Sequence, residues 1–237
     1  MKTTFFKLFA ITTLITFVSC KKEATLEYKH ADKPKVLACD FPKGDLYKEA
    51  VFAFEADIKN LYDSKGQSAA KSYLSFITNT MNGRMKVEDM ASKHSYDIAQ
   101  LLKKDATIWD MSGKNVTLNY SAPFMDCIAN NIKMSDIKTT FNALLSTNSM
   151  RPNLILTPLR SVGRQVSADG SLKTFVAFEY YYSKLMNLDP ALLKKPTPEP
   201  AKAANGNVNF NNTPKKDTDI KRAEPNTKRD DHAGHNH

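Results

Sequence analysis

Within residues 45–189 two side chains have the type and placement for proton transfer, His94 and Glu179. Histidine changes charge near neutral pH and also ligates metals. His94 lies on the apolar stripe of a helix, between Ala91 and Ile98 and one turn from Met90, so two roles compete. One is a catalytic or haem-ligating histidine, which needs a partner and a pocket. The other is a core histidine bonded to a carboxylate. Glu179 sits at the margin of the stripe formed by Leu172, Phe175, Phe178, Tyr182 and Met186. Arg160 and Arg164 precede it across the Asp169-Gly170 turn, and a structural ion pair with one of them is expected rather than a general base.

A second group stands at 230–237, "DDHAGHNH". His232, His235 and His237, with Asp231 beside them, are donors suited to zinc, copper or nickel. Their irregular spacing predicts loose capture without a fixed geometry. Cys39 and Cys127 stand 88 positions apart (127 less 39). In an oxidising compartment such a pair usually bonds, and a loop of that length contributes about 4–5 kcal/mol in the chain-entropy model. Two separate buried thiols are the alternative.

Other chemistries lack residues to carry them. The 8 glycines never cluster, so no phosphate-cradling loop is present. Gly-x-Ser-x-Gly, His-Glu-x-x-His and Cys-x-x-Cys are all missing. A helical di-iron site built on paired Glu-x-x-His motifs needs more histidine than this stretch holds. No resident cofactor is expected.

Helices must position these groups. Leu46, Ala50, Val51, Phe54, Ile58, Leu61 and Tyr62 recur at three and four, an amphipathic stripe. Ala70, Tyr73, Leu74, Ile77 and Met81 predict a second helix, ended by Asn82-Gly83. Val87 to Leu102 reads as a third. A less regular stretch holds Trp109, Gly113 and "NVTLNYS". Pro123 then starts a short helix, Ser135 caps another, Thr157-Pro158 opens one to about Ser167, and Ser171 caps the last, to about Leu188. The expectation is one all-α domain over 45–189, a helical bundle of about six to seven helices without strand alternation. In its last helix, "FVAFEYYYSKLM", Tyr180 and Tyr181 point away from the main stripe. If exposed they form a candidate contact face; a covering helix is the alternative.

Both ends differ from the middle. Residues 20–44, broken by Pro34 and Pro42, are expected as a polar tether. Residues 190–237 are rich in Pro, Lys and Asn, bury too little to offset ordering entropy, and are expected to be disordered. The net charge of +9 divides as +2 over 1–19, +2 over 20–39, +2 over 40–189 and +3 over 190–237. The middle is nearly neutral, which argues against nucleic-acid binding. The excess at the ends suits an anionic membrane surface.

The first residues carry an address. Lys2 and Lys7 precede an apolar run from Phe5 to Val18, too short to span a bilayer and matching a secretory signal peptide over 1–19. The run ends in Phe17-Val18-Ser19-Cys20, which resembles the lipobox of bacterial lipoproteins. Phe17 and Val18 depart from its commonest form. The resemblance implies cleavage before Cys20 and diacylglycerol on its thiol. Acyl chains at about 0.8 kcal/mol per buried methylene hold a protein on a membrane without a spanning helix. Lys21, where the inner-membrane retention rule wants Asp, implies the outer membrane. "VLAC" at 36–39 follows a charged stretch and is not a second processing site.

Three functions fit these residues. The first is a non-enzymatic accessory or binding lipoprotein, its partners the bilayer and another envelope protein. The second is capture of a divalent metal by the histidine-rich tail. The third is an enzyme acting on an envelope substrate through His94 and Glu179.

Overall fold

The strongest stripe forms the longest helix of the computed structural model, which describes residues 26–193 apart from 64, 66 and 67. Helix α1 (Gly44–Tyr62) buries Leu46, Ala50, Val51, Phe54 and Ile58. Helix α2 (Ala69–Met81) starts at Ser68, whose hydroxyl accepts the Lys71 amide at 3.2 Å. It stops where Gly83 adopts φ +66°, a conformation that favours glycine.

The expected third helix is broken. A 3₁₀ turn covers Val87–Asp89, and α3 proper is Lys93–Leu102. Ser92 causes the break: its hydroxyl accepts the Ser95 amide at 3.2 Å, while its own amide donates to Asp57 on α1 at 3.2 Å. A capping residue takes a non-helical conformation, so the helix restarts there.

The irregular stretch makes a minimal antiparallel hairpin, β1 (Trp109–Asp110) on β2 (Thr117–Leu118), with Trp109 opposite Leu118. Pro123 opens α4 (Pro123–Asn131), and α5 follows (Ser135–Ser146). Ser135 does not cap α5; its hydroxyl meets Asp136 instead. Helix α6 is Pro152–Ser161, so it begins at Pro152 and keeps Pro158 inside, forgoing one helical hydrogen bond. A 3₁₀ turn, Gln165–Ala168, leads into α7 (Gly170–Ala177). Asp169, not Ser171, caps α7, accepting the Leu172 amide at 3.0 Å. A π-helical turn, Phe178–Tyr182, and the short α8 (Ser183–Leu185) continue the same rod.

The packing partners close a ring. Helix α1 packs on α2, α2 on α6, α6 on α5 and α5 on α4, while α7 packs on both α1 and α4. The rod that starts with α7 is itself buried on nearly every side, so it runs through the middle. Its aromatic residues reach a different neighbour on each side: Phe175 to Phe141 of α5 (4.8 Å), Phe178 to Phe124 of α4 (5.1 Å), and Phe178 to Trp109 of the hairpin (5.9 Å). Each buried ring of this kind contributes about 1.5–3 kcal/mol. A helix that is apolar all round is a central one.

The domain is longer than 45–189 at both ends. Leu37 is buried, and Leu26, Val36 and Phe41 pack against the core, so residues 26–43 belong to the fold rather than to a tether. At the other end Pro190–Leu192 forms a 3₁₀ turn and Leu193 rests on the core. The remainder of the tail, with His232, His235, His237 and Asp231, lies outside the described residues, as does Cys20. Among the described residues no helix is long and apolar enough to cross a membrane.

Candidate functional site

Carboxylates placed on apolar stripes are the unusual feature of the interior. Glu49 of α1, wholly buried, faces the N-terminal segment and α3. Its Oε1 accepts the Lys29 amide at 2.8 Å and its Oε2 the His30 amide at 2.8 Å. Nε2 of His94 shares a 2.6 Å hydrogen bond with Oε1, and the His94 side chain is 11% exposed. His94 is thus the carboxylate-bonded histidine, and its partner holds down a backbone segment. Lys48 adds a bond to the Ala31 carbonyl at 3.1 Å.

Two turns further along α1, Asp57 is also buried. Its Oδ2 accepts the hydroxyls of Ser95 (2.6 Å) and Tyr181 (2.5 Å) and the Ser92 amide (3.2 Å). Burial pushes this carboxyl above the usual range, against the lowering effect of those donors. The cluster ties α1, α3 and the π turn together.

Glu179 stands inside the π turn. It does not pair with Arg160 or Arg164; its Oε2 accepts the Tyr120 hydroxyl at 3.0 Å. The hairpin packs on the π turn and brings Tyr120, just past β2, to Glu179. Burial pushes the Glu179 carboxyl up to about 7, with the Tyr120 hydroxyl and the Lys184 ammonium pulling the other way. A carboxyl at that value can hold or release a proton at neutral pH.

Tyr180 and Tyr181 are not a contact face. They are 2% and 0% exposed, and each hydroxyl is spent inside: Tyr180 donates to the Pro152 carbonyl (2.6 Å) and Tyr181 to Asp57. Tyr182 donates to the Ala50 carbonyl at 2.8 Å. The wider π turn sends three consecutive tyrosines to α6, to the Asp57 side chain and to the α1 backbone.

A cleft of about 260 Å³ is lined by Phe41, Lys43, Tyr47, Asp105, Ile108 and Phe124 among others. Its one carboxylate is already engaged. Asp105 accepts the hydroxyls of Tyr47 (2.7 Å) and Thr107 (2.6 Å), and the Lys43 ammonium lies at 3.3 Å. Burial works to raise that carboxyl, yet the Thr107 and Tyr47 bonds and the Lys43 charge outweigh it and hold it below its usual range. Nearby, Trp109 Nε1 is buried without a hydrogen-bond partner.

Cys39 and Cys127 are joined by a disulfide, which fastens the N-terminal segment to α4. Among the described residues no group of three or more His, Cys, Asp or Glu side chains is arranged to hold a metal ion. Sequence reasoning missed Glu49, Asp57, Asp105 and Tyr120. For Glu49 and Asp57 a signal existed, since both fall on the α1 stripe, where a carboxylate must find partners. The chain matches no protein-family model, no curated protein and no solved structure.

Proposed function

We propose that the protein is a membrane-anchored envelope lipoprotein whose helical domain serves another envelope protein as a non-enzymatic accessory or binding subunit. The observation that carries this is the Phe17-Val18-Ser19-Cys20 stretch behind a basic, apolar start. The Cys39–Cys127 bond supports it, because disulfides persist in compartments reached by export. The buried polar groups fit the accessory role: Glu49, Asp57 and Asp105 are each engaged by partners of their own chain. Lys21 after the acylated cysteine places the protein at the outer membrane in this proposal.

Fractionation of cells carrying Cys20→Ser tests the anchor. The variant is expected in the soluble fraction, and unchanged membrane attachment sinks the anchor. A mild in-cell crosslink, followed by purification from membranes, tests the accessory role. A stoichiometric envelope protein should accompany the wild-type chain, and its absence under several crosslinkers overturns that role.

A second reading rests on the three histidines and two aspartates within 230–237. In it the tail collects zinc, copper or nickel for transfer. Truncation before Asp230 should abolish binding in a zinc or copper titration; equal binding by the truncated chain refutes it.

A further inference from the structure

We infer that the face bearing residues 26–35 lies on the bilayer side of the domain, with the opposite side held away from the lipid. The inference rests on the acylation of Cys20 proposed above and adds to it a length and a direction.

Length comes from where the fold begins. Leu26 already packs against the core, and the chain after it is fastened repeatedly. Glu49 takes the amides of Lys29 and His30, each at 2.8 Å. The Val36 carbonyl lies so close to Gly170 that a Cβ there would collide with its oxygen. The disulfide then closes at Cys39. No slack can be drawn from 29–39 without breaking these contacts. Whatever path it takes, the chain from Cys20 to Leu26 covers at most ~3.3–3.6 Å per residue, about 20 Å in all. A domain of about 170 residues is about 40 Å across. The leash is about half the domain's width. It cannot let the far side turn to the bilayer.

Direction comes from what surrounds the fastened segment. It lies over the first half of α1 and the start of α3, with His30 beside Phe52 (6.0 Å) and His94 (6.5 Å). Its outward residues, Glu27, Tyr28, Lys29, Asp32, Lys33 and Lys35 among them, form the surface presented to the lipid. Charge does not set the contact. Lys33 lies 3.9 Å from Asp32 and Lys35 pairs with Asp40, so the exposed charges of the segment nearly cancel. The lipid surface recognised is thus any bilayer, held by tether length and not by an anionic headgroup.

The test uses full-length acylated protein purified from membranes and reconstituted into phosphatidylcholine vesicles that carry some quencher-headgroup lipid. One variant, Lys33→Cys, takes a fluorophore on the fastened segment. Another, Leu154→Cys, takes it on α6, which packs on α2 and α5. Several-fold stronger quenching at position 33 than at 154 is expected, in low and high salt alike. A flexible insert of about twelve residues between Lys22 and Glu23 should then remove most of the difference. Equal quenching at both positions in protein that floats with the vesicles overturns the orientation and leaves the anchor standing. A strong signal at position 33 that the insert does not change overturns the tether as its cause. Failure to float overturns the anchor, and the orientation with it.

Discussion

At Glu179 a carboxyl that ordinarily titrates near 4.5 is pushed up to about 7 by burial in the π turn. Between those values the folded chain binds more protons than the unfolded one, so stability falls as pH rises through that window. The loss amounts to about 3 kcal/mol once pH exceeds 7. Asp57, also raised by burial, acts in the same direction. Asp105, held below its usual range, contributes the opposite way, with stability lost as pH falls. Glu179→Gln should therefore flatten the decline between pH 5 and pH 8 and raise the urea midpoint at pH 8; parallel profiles for the two proteins would show that burial does not shift this group. Glu49 presents a different expectation. Glu49→Ala removes the acceptor of two backbone amides and of His94, which should cost about 2–4 kcal/mol. Hydrogen exchange should quicken at the Lys29 and His30 amides, and undiminished protection there would mean that other contacts hold the segment. Both acids were visible in the sequence as residues. Their partners were not, because Tyr120 and Lys29 come from elements that only packing brings near.

Elements were legible where capping and periodicity agree. Helices α1 and α2 follow their stripes almost to the residue, and Pro123 begins α4 as its fixed φ requires. Two of the failures share a cause: local signals were outvoted by partners distant in sequence. Val87–Leu102 keeps one apolar stripe, yet Asp57 captures the Ser92 amide and splits it. "FEYYY" gives no local sign of a π turn, which is stabilised by tyrosine bonds to three separate partners. The start of α7 carries the sharpest steric requirement. Asp169 caps it and Gly170 admits the Val36 carbonyl, so Gly170→Ala should displace the N-terminal segment and cost about 1–3 kcal/mol. Thermal unfolding together with limited proteolysis near residues 26–38 would read both effects. A variant with unchanged melting and protease resistance would mean that the backbones separate without strain.

For the whole molecule, the Cys39–Cys127 bond is the covalent staple of a domain whose first segment has little core of its own. Replacing both cysteines by serine should lower stability by about 2–5 kcal/mol. In urea the midpoint should fall while wild-type helicity is kept in native buffer, and an unmoved midpoint would mean that the segment's other contacts suffice. At this scale the division between sequence and structure is clear. Composition and periodicity determined that a helical domain occupies the middle of the chain, since burying 3.6-period stripes leaves few other solutions. They also determined that glycine-rich phosphate loops and histidine-based metal motifs are missing from it. Only the tertiary structure decided where the domain begins, because residues 26–43 carry no helical stripe and are ordered by an acid and a cysteine supplied from elsewhere. It alone decided that the three tyrosines face inward. A helix aromatic on every side suits either a sticky surface or a central position, and burial against α1, α4 and the hairpin, partners far apart in sequence, makes it the centre.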